Sequence, residues 1–279
     1  MSARILIVGG GGMLAHAFGE ELRKRGTPFR SIDVPEIDLR DAASIELAIE
    51  ARDTLVLNCA AFTDVDGAEQ READATAING AGVGALAARC KQVGALLVHY
   101  STDYVFDGQA TTPYRVDHPR APLNAYGRSK AVGEELLEAS GAQYLLIRTS
   151  WLYAPWGKNF VLTMRGLMAQ KPEITVVNDQ VGRPTSAHYL AERTLALVDR
   201  NARGTFHVTN GGQCSWHDFA AAIASHEYSK CRVLPCTSAE FVRPAKRPAY
   251  SVLDLSKTDA LLGASLDWRE SLHAVLRLL

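Results

Sequence analysis

The sequence predicts an α/β fold in which a doubly wound parallel sheet is followed by a smaller, irregular α+β C-terminal region. Short apolar strands alternate with amphipathic helices through residues 1–150, and this alternation is typical of the crossover units that build a parallel sheet. The strands are apolar on both faces, which suits a sheet covered by helices on both sides. After Arg148 the alternation ends, and the segment Ser150–Pro184 mixes aromatic residues with glycine and proline.

The predicted elements follow in chain order. Strands are expected at Arg4–Val8, Phe29–Ile32, Leu55–Asn58, Leu96–Tyr100 and Tyr144–Arg148. Helices are expected at Met13–Arg25, Asp41–Ala51, Asp66–Lys91 with a break near Gly80–Gly84, and Ser129–Ala139. Further along, the pattern predicts a helix at Ala187–Asp199, a strand at Thr205–Thr209, a helix at Trp216–Ser225 and an irregular stretch at Lys230–Pro248.

Length and composition exclude several classes of protein. A chain of 279 residues suits one large domain, or a large and a small one, and 47% apolar with 22% charged residues is typical of a soluble globular protein. The net charge of −1 gives no basic surface for nucleic acid or an anionic membrane, and no apolar run reads as a membrane span. The five cysteines are scattered without metal-binding spacing. We therefore expect a cytoplasmic protein with reduced thiols, no bound metal and no signal peptide.

A glycine-rich turn joins the first strand to the first helix. Gly9, Gly12 and Ala15 stand at three-residue spacing in a run that begins with four glycines. Small residues allow a tight turn and a close approach of the backbone to a pyrophosphate, and the helix N-terminus offers it unpaired N–H groups. The turn therefore predicts a Rossmann-like dinucleotide-binding domain over residues 1–150, and a later segment at about 186–210 is expected to return to it. Residues 151–279 are then mainly a substrate-binding region.

The residues after the second strand bear on the choice of cofactor. Asp33 ends that strand, about 20 residues after the glycine turn, where a carboxylate accepts hydrogen bonds from the ribose hydroxyls. Such a carboxylate repels a 2′-phosphate and favours NADH, whereas Arg30 and Arg40 are close enough in sequence to leave NADPH open. Asp38 and Leu39 are expected beside the adenine.

The fourth strand and the helix after it carry a candidate catalytic set. Thr102 follows the fourth strand, and ligands bind beyond the carboxyl ends of strands in open parallel sheets. Tyr126 and Lys130 are four residues apart at the start of a helix, so they share one face. Reduction of a ketone by hydride leaves an alkoxide that needs a proton. A phenol supplies the proton, a nearby ammonium lowers its pKa, and a hydroxyl such as that of Thr102 holds the carbonyl oxygen.

In this order of elements the chain resembles the extended short-chain dehydrogenase/reductase superfamily and, within it, the dTDP-4-dehydrorhamnose reductase family. The resemblance runs nearly end to end and is most specific at Ser101–Gly108. The other matching stretches are Asn58–Asp66, Tyr126–Lys130 with Gly133-Glu134, Arg148–Trp151, Asn159-Phe160, Asn178–Thr185, Ser215-Trp216, Arg247-Pro248 and Asp267–Arg269.

The resemblance implies roles for individual residues. It implies that Thr102, Tyr126 and Lys130 form the catalytic triad and that Lys130 also holds the nicotinamide ribose. It places Gly9, Gly12, Met13 and Leu14 at the pyrophosphate and Ala60, Ala61 and Phe62 along the cofactor, which is NADH or NADPH. The sugar-nucleotide substrate would contact Tyr104, Trp151 and Asn159, and Thr102, Asp103, Arg183 and Arg247 are further candidates for substrate binding. The chain is expected to be a monomer or a homodimer.

Several further residues have two interpretations. Trp151 is expected to pack on a sugar or thymine face, or else in the core. Arg183, Arg243 and Arg247 are candidates for a diphosphate clamp, or are solvated surface residues. His99 is interpreted as a packed core residue, and Asp103 and Asp107 as turn-capping residues rather than metal ligands.

Two other functions stay open. One is another reaction on the same fold, such as a nucleotide-sugar epimerase or dehydratase, although dehydratases usually place an acidic pair directly after the Ser/Thr, where this chain has only Asp103. The other is a non-catalytic regulatory subunit that binds a dinucleotide, which predicts the loss of catalytic groups that are intact here.

Overall fold

The computed structural model describes residues 4–227 and 230–279. Its strands are β1 (Ile5–Val8), β2 (Phe29–Ile32), β3 (Leu55–Asn58), β4 (Leu96–Thr102), β5 (Tyr144–Thr149), β6 (Leu152–Tyr153), β7 (Glu173–Val177), β8 (Val181–Gly182), β9 (Thr185–Ser186), β10 (Gly204–His207), β11 (Cys214–Ser215) and β12 (Arg232–Cys236). Its α-helices are α1 (Met13–Lys24), α2 (Ala42–Ala48), α3 (Val65–Ala68), α4 (Glu72–Thr76), α5 (Gly82–Val93), α6 (Ala125–Ala139), α7 (Phe160–Met168), α8 (Ala187–Asp199), α9 (Trp216–Glu227), α10 (Ser256–Leu262) and α11 (Trp268–Leu276). Among the described helices, none is long and apolar enough to cross a bilayer.

The main sheet has six parallel strands in the order β10-β5-β4-β3-β1-β2. The chain moves outward from β1 to β2 and then returns to β3 on the other side of β1. Ligands of open α/β sheets bind at such a reversal, beyond the carboxyl ends of the strands. The predicted doubly wound parallel sheet is confirmed, and two apolar clusters cover its faces.

The helix that carries Tyr126 and Lys130 begins earlier than the sequence pattern indicates. It was expected from Ser129, but α6 begins at Ala125. Asn124 explains the difference, because its Oδ1 accepts a hydrogen bond from the N–H of Gly127 at 2.8 Å and caps the helix. Both candidate catalytic residues therefore lie within the first two turns of one rigid helix.

The predicted long helix at Asp66–Lys91 is broken into several pieces. Short helices α3 and α4 lead into a π-helical turn at Ala77–Ala81, which is followed by α5. The turn contains Gly80, so the break occurs close to where the glycines predict it. It also directs the buried amide of Asn79 toward α6, where Asn79 Nδ2 donates to Ser129 Oγ at 3.0 Å.

The second region is more regular than expected. The stretch Lys230–Pro248 was predicted to be irregular, but it contains β12, which pairs in parallel with β7. Pro235 obscures this strand in the sequence, and a strand with a free edge tolerates a proline. Helices α7, α9 and α11 enclose a separate apolar cluster around Phe219 and Trp268.

Candidate active site

One continuous cleft of about 1630 Å³ runs along the carboxyl ends of β1, β3 and β4. The predicted site residues that line it are Gly9, Gly12, Met13, Leu14, Asp33, Asp38, Leu39, Ala60, Ala61, Thr102, Asp103, Tyr104, Tyr126, Lys130, Trp151, Asn159 and Arg247. Two predicted site residues are not among the lining residues, namely Phe62 and Arg183. The structure therefore brings together nearly all of the candidates that the sequence suggests.

The glycine turn forms a cradle at one end of the cleft. Gly9 has a φ of +83°, and a Cβ at this position would lie 2.6 Å from the backbone nitrogen of Ala60. Only glycine, which lacks a Cβ, both adopts this positive φ readily and avoids this contact. Gly12 precedes α1 in an extended conformation, and no side chain caps this helix. Its first N–H groups are therefore available to an anion, so these residues fit the pyrophosphate of a dinucleotide.

Two carboxylates flank the cradle in different ways. Asp33 accepts a hydrogen bond from the N–H of Gly11 at 2.7 Å and another from the N–H of Val34 at 2.8 Å. Asp38 is paired with Arg40 through contacts of 2.6 and 2.9 Å. This hydrogen bonding lowers the pKa of the Asp38 carboxyl to about 2. Both carboxylates are thus held at the edge of the cleft next to the end of β2.

Thr102 and Asp103 lie at the end of β4, where the strand turns away from the sheet. The Thr102 hydroxyl donates to Asp103 Oδ1 at 2.9 Å and accepts from the N–H of Tyr104 at 3.1 Å. Burial raises the pKa of the Asp103 carboxyl to about 7, although hydrogen bonds from Ser251 and Thr102 oppose the rise. The Thr102 hydroxyl is therefore held in place by its own turn.

Tyr126 faces this turn from the first turn of α6. Its ring meets that of Tyr104 edge to face, with 6.2 Å between centroids. The two elements can approach this closely because residue 127 is a glycine. A Cβ at this position would lie 2.2 Å from the carbonyl oxygen of Tyr104. Burial and the Asp103 carboxylate raise the pKa of Tyr126 above its usual range, and a hydrogen bond with Thr102 opposes them.

The position of the Lys130 ammonium differs from the sequence-based expectation. It was expected to lower the pKa of Tyr126, yet Lys130 Nζ donates to the carbonyl oxygen of Tyr100 at 2.6 Å and lies 3.4 Å from His99 Nε2. The pKa of Tyr126 is raised instead. A raised pKa keeps the phenol protonated, which is the state that a proton donor requires. Burial lowers the pKa of Lys130 to about 8.

Aromatic and amide side chains of the second region form another wall of the cleft. Trp151 has a φ of +47°, which is uncommon for a bulky residue, and its ring stacks on Trp216 at 3.6 Å. Asn159 lines the cleft, but its Nδ2 donates to the carbonyl oxygens of Ala154 and Trp156 and its Oδ1 caps α7. Its amide therefore fixes the loop that closes this wall.

Basic residues line one part of the cleft. Arg247 Nη1 lies 3.0 Å from Asp66 Oδ1, and Arg243 Nη2 lies 2.5 Å from Asp66 Oδ2. Arg183 is largely buried away from the lining, and burial lowers the pKa of its guanidinium. Phe62 also points elsewhere, because its ring packs with Ala68 and Ala75 and under the guanidinium of Arg71.

Sequence reasoning missed or misjudged some residues of this cleft. Trp216 was given no role, since only the folded chain stacks it on Trp151. Asp66 ends one of the stretches that carry the resemblance, and that position was the available signal for it. His99 is fully buried, as expected of a core residue, but it also contacts Lys130.

A glycine cradle and a Thr–Tyr–Lys set at the reversal point of a doubly wound parallel sheet define a dinucleotide-dependent enzyme of the short-chain dehydrogenase/reductase class. The model of the family described as RmlD substrate binding domain matches residues 3–279. The chain therefore belongs to this family, and the predicted resemblance to dTDP-4-dehydrorhamnose reductases is confirmed.

Similar proteins cover nearly the whole chain. A dTDP-4-dehydrorhamnose reductase from Burkholderia thailandensis is 38% identical over 293 residues, which cover 98% of each chain. The solved structure of a dTDP-4-dehydrorhamnose reductase from Clostridium acetobutylicum is 40% identical, covers 99% of both chains and superposes with a TM-score of 0.94. That of the Bacillus anthracis dTDP-4-dehydrorhamnose reductase, solved in complex with NADP, is 36% identical, covers 100% of both chains and has a TM-score of 0.96.

Proposed function

We propose that this protein catalyses the NAD(P)H-dependent reduction of the C4 ketone of a dTDP-6-deoxy-4-keto-hexose, in dTDP-rhamnose biosynthesis. One observation carries the proposal. A single cleft joins the glycine cradle to Thr102, Tyr126 and Lys130 and continues to a wall of tryptophans and a pair of arginines. Such a cleft has room for a dinucleotide and a sugar nucleotide that meet at the catalytic set.

Each catalytic residue has a separate role in this proposal. A bound nicotinamide supplies the hydride to the ketone carbon. The Thr102 hydroxyl, which in this structure donates to Asp103 and accepts from the N–H of Tyr104, would turn its one hydrogen to the ketone oxygen and orient that oxygen. The Tyr126 phenol donates its proton to that oxygen as the C–H bond forms. Lys130 is proposed to hold the nicotinamide ribose and to add a positive charge to the cleft in which the phenolate is left.

The substrate groups are assigned by chemistry. Trp151 offers an aromatic face to the sugar or the thymine. Arg247 and Arg243 are suited to a diphosphate, which would take over the contacts that Asp66 makes in this structure. Asp103 and Tyr104 lie beside Thr102 and are proposed to contact the sugar. Asn159 is proposed to act there by holding the loop at Ala154–Trp156.

The two parts of the chain are proposed to divide the ligands between them. Residues 1–150, together with the segment at about 186–210, bind the dinucleotide, because β10 pairs with β5 and so extends the main sheet. Residues 151–279 otherwise bind mainly the substrate. We further propose that the enzyme works in the cytoplasm on a small-molecule substrate, as a monomer or homodimer, without nucleic-acid or membrane partners.

An assay of NADH and NADPH oxidation with the dTDP-linked 4-keto sugar tests the proposal. Turnover with either cofactor is expected, and NMR of the product gives the configuration at C4. A clean absence of turnover with both cofactors contradicts the proposal. An epimerase or dehydratase retains its dinucleotide through the reaction, so stoichiometric nucleotide released on denaturation would favour that alternative. Dinucleotide binding without any turnover would favour a regulatory subunit.

A further inference from the structure

The ammonium of Lys130 lies against strand β4, at a buried histidine. Lys130 Nζ donates to the carbonyl oxygen of Tyr100 at 2.6 Å and lies 3.4 Å from His99 Nε2. His99 is fully buried, and the exposed fraction of Lys130 is 2%. The other ring nitrogen of His99, Nδ1, lies 3.0 Å from Asn58 Nδ2 on the neighbouring strand β3. The three side chains thus form a chain of contacts, Asn58 to His99 to Lys130.

Asn58 determines which nitrogen of His99 carries the proton. Asn58 Oδ1 accepts a hydrogen bond from the N–H of Ala60 at 3.2 Å, which leaves Nδ2 facing the histidine. The reversed amide would set two donors against each other at Ala60. Since an amide nitrogen only donates, His99 Nδ1 must accept. A neutral His99 therefore carries its proton on Nε2, the nitrogen that faces Lys130.

This tautomer has a consequence for Lys130. An ammonium has no lone pair and cannot accept the Nε2–H of His99, whereas a neutral amine can. We propose that Asn58 and His99 act as positioning residues that make the neutral amine of Lys130 the better partner, so that its ammonium readily releases a proton during turnover. This inference rests on the proposed function. In each turnover Tyr126 gives one proton to the product oxygen, and the phenolate must recover one. Tyr126 and Lys130 lie one turn apart on α6 and line the same cleft, so Lys130 is the proposed source, and its amine regains a proton from solvent.

The surrounding groups shift the pKa of Lys130 in opposite directions. Burial lowers the pKa of Lys130, in the same sense as the His99 contact, whereas Glu134 on the same helix raises it. Glu134 is itself paired with Arg148. Other titratable groups that line the cleft around Lys130 are Cys59 after β3, Tyr100 on β4, Asp103 and Tyr104 after β4, and Tyr126 on α6. Burial and Lys130 hold the pKa of His99 well below its usual value, so the ring stays neutral.

The first test is the tautomer of His99 in the full-length protein. Nitrogen-15 NMR of histidine-labelled protein distinguishes a protonated from an unprotonated ring nitrogen, and the His99→Gln variant assigns the signal by its loss. We expect a protonated Nε2 and an unprotonated Nδ1 throughout the neutral pH range. A proton on Nδ1, an imidazolium or an exchanging mixture of tautomers overturns the inference. This measurement needs neither substrate nor turnover, so it fails or succeeds independently of the proposed function.

The second test is the titration of the Lys130 amine by NMR of lysine-labelled protein, assigned with Lys130→Met. In Asn58→Asp the new carboxylate accepts Nδ1–H and turns Nε2 into an acceptor for the ammonium. We expect the titration midpoint of Lys130 to rise by about one pH unit or more. The double variant Asn58→Asp/His99→Phe keeps the added charge but lacks the ring, and it should lose most of that rise.

A matched control and an activity measurement complete this test. His207→Gln alters another fully buried histidine, which contacts Arg148 and the carbonyl oxygen of Asp254. It should leave the Lys130 midpoint in place. If Asn58→Asp reverses the tautomer but the Lys130 midpoint stays, or if the double variant shows the same rise, the inference is wrong. In an active enzyme, the alkaline limb of the dependence of kcat/KM on pH should shift together with the titration midpoint of Lys130.

Discussion

The Asp33 carboxylate accepts a hydrogen bond of 2.7 Å from the backbone N–H of Gly11, across 22 positions of sequence. This contact fixes a negative charge directly beside the glycine cradle. The ribose next to the adenine of a dinucleotide bound on the cradle would lie here. A carboxylate in this position accepts hydrogen bonds from the ribose hydroxyls and repels a 2′-phosphate, so we expect NADH to be the preferred cofactor.

Replacement of Asp33 by asparagine should shift this preference toward NADPH. The side chain keeps its size and loses the charge that repels the 2′-phosphate. We expect the ratio of kcat/KM for NADPH to that for NADH to rise by about tenfold or more, which corresponds to about 1.4 kcal/mol. Glu36→Gln is the matched control, since Glu36 is an exposed acid of the same loop that does not line the cleft. An unchanged ratio in Asp33→Asn would mean that Asp33 does not face the ribose.

Tyr126→Phe should abolish turnover and leave cofactor binding intact. The variant loses the proton donor but keeps the ring against Tyr104, so we expect kcat to fall by about 10²–10⁴-fold. Nucleotide titration should give the wild-type Kd for the cofactor. Tyr153→Phe is the control, because the Tyr153 hydroxyl is buried in the second core and has no hydrogen-bond partner among the described residues. Retained turnover in Tyr126→Phe would assign the proton donor elsewhere.

Local patterns in the sequence were sufficient to predict the main sheet and the catalytic set. The strands Phe29–Ile32 and Leu55–Asn58 are found at their predicted bounds, because short apolar runs between turn residues have few other solutions in an α/β chain. Thr102, Tyr126 and Lys130 meet because β4 ends where α6 begins to pack on it. Their proximity follows from the order of the elements, which the sequence does reveal.

The remaining features depend on contacts between distant segments. Arg183 and Arg247 were equal candidates in the sequence, and only the packing of the second region buries the former and exposes the latter to the cleft. Strand β12 was missed because its pairing with β7 outweighs the local signal of Pro235. The contact of His99 with Lys130 joins two elements 31 positions apart, and no spacing rule indicates it.

Asp103 should make the stability of the protein depend on pH near neutrality. Burial raises the pKa of this carboxyl from 3.8 to about 7 in the folded protein. The folded state therefore holds a proton that the unfolded chain has lost. The resulting stabilisation is complete below the unfolded pKa of 3.8 and is lost as the pH rises through about 7.

Comparison with Asp103→Asn isolates this effect. We expect the difference in free energy of unfolding, variant minus wild type, to increase by about 2 kcal/mol or more as the pH rises from about 5 to about 8. Urea unfolding at the two pH values measures it. Asp107→Asn is the control, because the hydrogen bond from Tyr114 lowers the pKa of Asp107, so this carboxyl is ionised in both states over that range. A pH-independent difference for Asp103→Asn would show that the carboxyl is ionised in the folded protein.

Substitution of Glu134 should be among the single changes that lower the free energy of unfolding most. Its carboxylate is fully buried and receives two hydrogen bonds from Arg148, at 2.9 and 2.7 Å, and one from Arg120 at 3.0 Å. Burial by itself disfavours the charge, but these partners outweigh it and lower the pKa of Glu134. Its stabilisation is therefore present above the unfolded pKa and is lost as the pH falls through the folded one.

Glu134→Gln leaves the Arg148 guanidinium buried without a counter-charge, and such a change costs about 3–5 kcal/mol. Urea unfolding at neutral pH should show this loss. Glu135→Gln is the matched control, because Glu135 is 61% exposed and its contact with Arg120 is long, at 3.9 Å. An exposed pair of this kind contributes less than about 1 kcal/mol. Equal effects of the two changes would mean that Arg148 finds another partner. Because Glu134 joins α6 to β5 one turn beyond Lys130, its loss should also lower kcat in the surviving folded protein, since the helix that carries Tyr126 is then less firmly held.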